Sequence, residues 1–143
     1  MRIVVDIVCR AYLLVLSTYH VFTGLASCFA PDFALSFYRK FYDCNPVERK
    51  HLALVLKPWG ALALCAGIAG LFAAADPVRY RGVILALAIL LALRVYYRLV
   101  YRSWLHDISG IAPRRNALSV GVLVAGLAIL VSWLVLAPAG GSR

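Results

Sequence analysis

The stretch Tyr80–His106, YRGVILALAILLALRVYYRLVYRSWLH, decides the fold. It opens with eleven uninterrupted apolar residues, Val83 to Leu93, and then sets Arg94, Arg98 and Arg102 four residues apart, with Tyr97 and Tyr101 beside them. A helix crosses a bilayer with about 20 mostly apolar residues. A charge deep in such a span costs about 2.5–3.5 kcal/mol on insertion scales. The apolar run therefore predicts a membrane helix, and the arginines at its far end must face other protein or the surface.

Composition agrees. The chain has 143 residues, is 64% hydrophobic, and has a mean hydropathy of +0.86. Soluble domains run about 45–50% apolar. The length suits one domain, residues 1–143, with no repeat or linker. A net charge of +9 would suggest nucleic acid in a soluble protein. In a membrane protein it is better read as basic loops at the lipid surface, and no nucleic-acid motif is present. Met1 to Ser17 carries Asp6 and Arg10 and is followed by no small-x-small cleavage site, so a retained helix is expected.

Four stretches have the required length: 3–29, 51–75, 81–105 and 116–136. The expected architecture is an all-α, antiparallel four-helix integral membrane bundle. Between the first two spans, Pro31 to Tyr42 is too short and polar to cross. Its Phe33, Phe37 and Phe41 repeat every four residues, away from Asp32, Arg39 and Lys40. That predicts an amphipathic helix lying in the interface with its rings among acyl chains. Asn45-Pro46-Val47-Glu48 reads as the start of the next helix.

Even-numbered spans place both termini on one side. Arg39, Lys40, Arg49, Lys50, Arg98, Arg102, Arg114 and Arg115 gather on the side of the first and third loops, against Arg2, Arg79, Arg81 and Arg143 opposite. The positive-inside rule then puts the termini outside an inner (plasma) membrane.

The first helix carries a polar stripe. Asp6, Arg10, Ser17, His20 and Gly24 fall within an arc of about 80°, which must face the bundle. Asp6 and Arg10, one turn apart, predict an ion pair. His20 has no partner evident on its own helix, and reads as a hydrogen-bonded packing residue or a ligand contact. In the second helix, Lys57 precedes Pro58, where a kink is expected. Ala63-x-x-x-Gly67 and Ala66-x-x-x-Gly70-x-x-x-Ala74 would let a neighbour approach closely. In the fourth helix, Ala117, Gly121, Ala125, Ala128 and Ser132 form a small-residue face expected to pack on a neighbour.

Axial rise places His20, Lys57, Arg94 and Arg98 in one layer, with Tyr19, Tyr96, Tyr97 and Trp59 around them. That layer has surplus positive charge and no evident carboxylate. A lipid phosphate, a fatty-acid carboxylate, a quinone carbonyl or an acidic residue of a partner subunit could answer it. Alternatively, Arg98 and Arg102 snorkel to headgroups with the tyrosines as belt residues, while Arg94, the deepest, keeps a buried partner. The candidate ligand contacts are Arg94, Arg98, His20, Lys57 and Tyr97.

Catalytic and metal signatures are missing from the sequence. No Ser-His-Asp or Cys-His spacing, Gly-rich phosphate loop or haem-ligand pair is recognisable, and His20 is the one deep histidine of His20, His51 and His106. Cys9, Cys28, Cys44 and Cys65 show no zinc spacing. Cys28 and Cys44 could bridge only in an oxidising compartment.

Arg10 in the first helix, Gly24 and Pro31 at its end, an Ala/Gly-rich second helix closing on Ala75-Asp76-Pro77, and arginines late in the third make the chain resemble small DoxX-like four-helix bacterial membrane proteins. The resemblance implies a helper in membrane redox chemistry, near quinone. The expected function is a non-catalytic membrane protein, either an accessory subunit or a binder of a lipophilic anion. The alternatives are a quinone-linked oxidoreductase subunit, and a small transporter coupled through Asp6–Arg10.

Overall fold

The computed structural model describes residues 2–42 and 49–137. The Cys28–Cys44 pairing, the helix start at Asn45–Glu48 and the closing Pro138-Ala-Gly-Gly lie outside the described residues. Six helices follow one another: α1 Arg2–Phe29, α2 Pro31–Tyr42, α3 Arg49–Ala75, α4 Arg81–Val100, α5 Arg102–Ser109 and α6 Pro113–Leu136. Four are long and apolar enough to cross a membrane: α1, Val55–Ala75 within α3, α4 and α6. The chain is a multi-pass, all-α membrane bundle.

The four long helices form a ring. α1 packs most extensively on α3, α4 on α6, and α1–α6 and α3–α4 contacts close it, leaving α1 and α4 on the diagonal. The apolar core occupies one end. There Cys9 and Leu13 of α1 meet Ala73 and Ala74 of α3, Ile84, Leu87, Ala88 and Leu91 of α4, and Leu130 and Trp133 of α6.

The α1–α3 contact is close because glycine removes the side chains between the helices. A Cβ on Gly24 would lie 2.7 Å from the Leu64 nitrogen and 2.8 Å from the Gly60 oxygen. A Cβ on Gly67 would lie 2.7 Å from the Val21 nitrogen. Of the small-residue seam expected on α3, Ala63, Gly67, Gly70 and Ala74 are buried and Ala66 is half-buried; Gly60, one turn earlier, is buried as well. Ser17, His20, Gly24 and Ser27 of α1 are buried too, so the polar stripe faces inward. The helix continues through Pro58.

On α6 the expectation fails. Ala117, Gly121, Ala125, Ala128 and Ser132 are all exposed, and the buried residues are Gly126, Leu130 and Trp133. Leu130 and Trp133 have the bulk to fill the core, while Gly126 makes room for the Tyr12 hydroxyl packed against it. Lipid tolerates small and large apolar faces alike, so hydropathy does not distinguish which face turns inward.

The third span is also shorter than expected. α4 ends at Val100, and Tyr101 (φ −101°, ψ 27°) separates it from the short α5. No glycine or proline marks this break in the sequence. It takes Arg102 and Trp104 off the α4 axis. α5 closes at Gly110, whose left-handed backbone (φ 65°) lets its N–H donate to the His106 carbonyl.

The α2 helix folds back onto the bundle. Ala34 and Leu35 are buried, and Tyr38 meets Trp59 of α3 edge-on at 6.2 Å. Phe33 and Phe41 stay exposed, while Phe37 lies between Phe22 of α1 and Phe41, stacked on the latter. The aromatic row is thus partly packed on protein, not wholly on acyl chains.

Candidate functional site

The inward stripe of α4 runs Ile84, Leu87, Leu91, Arg94, Arg98, alternating steps of three and four residues. The first three are buried core. The last two are guanidinium groups at positions where the same periodicity calls for apolar side chains. Arg94 lies six residues, about 9 Å at 1.5 Å per residue, inside the end of α4 at Val100.

Arg94 reaches the diagonal helix. Its Nη1 lies 3.3 Å from Nε2 of His20, which is 4% exposed. Nδ1 of the same ring lies 2.8 Å from the Leu16 carbonyl. A carbonyl only accepts, so Nδ1 carries the proton and Nε2 accepts from Arg94. His20 is therefore a hydrogen-bonded bundle residue with a partner on its own helix after all, which also holds Arg94 in place. It satisfies one Arg94 donor without neutralising the charge, and no described carboxylate forms an ion pair with Arg94.

Arg98 does not simply snorkel. Its Nη1 donates to Asn116 Oδ1 at 2.9 Å, and Asn116 Nδ2 donates back to the Arg98 carbonyl at 3.1 Å. No local sequence pattern marks Asn116. Its position at the start of α6, opposite the end of α4, follows only from how the two helices pack.

These groups line a cavity of about 330 Å³. It is lined by the partly buried Arg94 and Arg98 from α4, by the exposed Arg115 from α6, and by His20. Tyr12, Leu16 and Tyr19 of α1 form one side, Ser119 and Leu123 of α6 the other, and Phe41 of α2 reaches its edge. The cavity exists because α1 and α6, in contact at Asp6–Trp133 and at Tyr12–Gly126, part towards the other end of the bundle. Val15, Leu118 and Val122 border the gap at 71%, 62% and 61% exposure, so an apolar mouth opens sideways.

No protein-family model matches this chain. Neither does any curated protein or solved structure. The resemblance to DoxX-like proteins therefore rests on the residues that suggested it.

Of the residues expected to form one layer, the cavity brings together His20, Arg94 and Arg98. It does not include Lys57 or Tyr97. Lys57 is exposed on α3, which contributes nothing to the lining. Tyr97 is exposed on the outer face of α4, stacked with Tyr101 at 5.8 Å. Axial rise predicted their level in the membrane but not their direction around the helix. Arg115 and Tyr12 join the lining unannounced.

Asp6 and Arg10 pair as expected, Nε to Oδ2 at 2.8 Å. Arg10 Nη1 also donates to the carbonyls of Ala74 at 3.1 Å and Ala75 at 2.6 Å, capping the end of α3. Trp133 Nε1 donates to Asp6 Oδ1 at 3.0 Å. The pair thus joins three helices, and a second cavity of about 280 Å³ lies against it, lined by Arg2, Asp6 and Trp133 among others. Among the described residues no His, Cys, Asp and Glu group could hold a metal ion.

Proposed function

We propose that the protein binds an amphiphilic anion within the membrane, with the head among Arg94, Arg98 and Arg115 and the tail in the gap between α1 and α6. The observation that carries this is a laterally open cavity lined by three arginines, Arg94 and Arg98 partly buried and Arg115 exposed, and, among the described residues, by no carboxylate. Arginines in a low-dielectric setting call for an anion, and their planar forks suit carboxylate or phosphate oxygens. A quinone would fill the apolar gap but leave the charge unanswered. Binding is favoured over catalysis because His20, the lining group best suited to proton transfer, has both ring nitrogens hydrogen-bonded. The excess of Lys and Arg on the cavity's side supports placing that end at the cytoplasmic face of an inner (plasma) membrane, with the termini opposite.

The test is native mass spectrometry of the full chain released from mild detergent. A retained anionic amphiphile, lost in Arg94→Leu, supports the proposal. A retained neutral quinone, or a co-purifying subunit whose acidic residue cross-links to the cavity, would replace it.

A further inference from the structure

Resting on that reading, we infer that the ligand is a single-chain fatty acid, that its terminal carboxylate sits on Arg94, and that it enters from the surrounding leaflet. The inference comes from one guanidinium without an ion pair, the donors around it and the shape of the mouth.

Of the arginines lining the cavity, Arg94 and Arg98 are partly buried and Arg115 is exposed. Arg98 gives Nη1 to Asn116 Oδ1 and is engaged beyond that bond. Arg115, in the first turn of α6, is open to water and headgroups. Arg94 is the partly buried one that forms no ion pair with a described residue. One such cation calls for one negative charge; a dianion would bring in a second charge as costly to desolvate as the one it answers. His20 takes Nη1 of Arg94, and the Nε–Nη2 edge of the fork makes no hydrogen bond with a described residue. That edge presents parallel N–H groups, which match the paired oxygens of a carboxylate. The Tyr12 hydroxyl, packed over Gly126, and the Ser119 hydroxyl line the same cavity and make no hydrogen bond with a described residue. They can supply neutral donors to the same oxygens.

The mouth argues for one chain with a terminal head. It is bordered by Val15, Leu118 and Val122, which are exposed on helices long enough to span a membrane. A soluble carboxylate would have to cross that apolar rim. A fatty acid already in the leaflet needs only to slide its head inward. A phosphodiester also carries one charge, but ester-linked groups flank it on both sides. To reach Arg94, about 9 Å inside the end of α4, it would have to bring both through the gap. The volume, about 330 Å³, lies at the low end of small-molecule sites, about 300–1,000 Å³. It takes a carboxylate and the first part of one chain, and the rest of the tail stays outside between α1 and α6.

The experiment titrates the full chain, in phosphatidylcholine nanodiscs, with oleate, oleyl alcohol, dioleoyl phosphatidylglycerol, dioleoyl phosphatidate and acetate, and reads retention by native mass spectrometry. Oleate should bind roughly tenfold or more tightly than oleyl alcohol or either phospholipid, the gain expected of a charge-assisted contact that they do not make. Arg94→Gln should erase that preference, and Tyr12→Phe should weaken oleate roughly threefold or more. Arg115→Gln should leave the preference in place, and a loss equal to that in Arg94→Gln would overturn the assignment of the carboxylate to Arg94. Acetate at equal concentration should not displace oleate. Either phospholipid retained as tightly as oleate, with Arg94 still required, would overturn the carboxylate and leave anion binding standing. Displacement by acetate would overturn entry from the leaflet. Oleyl alcohol retained as tightly as oleate, or retention of none, would remove the anion-binding reading as well. The comparison of ligands uses the unaltered protein, so it survives any variant that fails to fold.

Discussion

Arg94 and His20 meet across the diagonal of the bundle, Nη1 to Nε2 at 3.3 Å, and join two helices that are not neighbours in the ring. The histidine orients the arginine towards the cavity but cannot cancel its charge. Arg94 is thus left without an ion pair among the described residues.

Arg94→Leu should release a bound anionic amphiphile, lowering its retention by roughly 10- to 100-fold for the loss of one charge-assisted contact. Arg102→Leu should change retention little, because Arg102 is exposed on α5 beyond the break at Tyr101. Native mass spectrometry of both variants checks this. Equal and negligible effects would remove the case for a site.

Gly24→Ala should destabilise the bundle, and Gly121→Ala should not. The new methyl at position 24 meets backbone of α3 at 2.7–2.9 Å, which only a shift of the whole helix relieves. At position 121 nothing lies within 4 Å. Overpacking of this kind costs about 1–3 kcal/mol, readable as a lowered midpoint in thermal unfolding in detergent.

Asn116→Leu removes both hydrogen bonds that join the start of α6 to the end of α4. A loss of about 1–3 kcal/mol is expected from the donor and acceptor left behind. Because Arg98 is then less constrained, ligand retention should fall by less than in Arg94→Leu. A variant as stable as the parent would show that the pair is incidental.

Arg10→Leu should loosen the opposite end. It leaves the Ala74 and Ala75 carbonyls uncapped and Asp6 with Trp133 as its remaining partner. The pair is 39% exposed on each side, so its Coulombic share is discounted, and the lost carbonyl bonds dominate an expected cost of about 1–2 kcal/mol. Asp6→Asn should be milder, since its amide oxygen can still accept from Trp133. Unfolding midpoints of the two variants test the order. Ligand retention should be unaltered in both, because neither residue lines the basic cavity.

Much of this was legible in the chain. Long apolar runs, the polar stripe of α1, the Asp6–Arg10 spacing and the glycines of α3 each carry a periodicity that one helix reveals by itself. The level of Arg94, Arg98 and His20 was legible for the same reason. Lys57 and Tyr97 were misplaced because depth along an axis says nothing of direction around it. The α6 face was misread because a bilayer accepts alanine and leucine equally, so composition there does not tell inside from outside. The break at Tyr101 and the role of Asn116 had no local signal.

The sequence by itself determined that the chain is a set of membrane-crossing helices with more of its cations towards one end, because the cost of polar groups in hydrocarbon is written residue by residue. Only the tertiary structure decided which cations share a space. Helix rotation, the parting of α1 from α6 and the lining of one cavity by Arg94 and Arg115 depend on side chains from different helices competing for the same volume. No single helix encodes that competition.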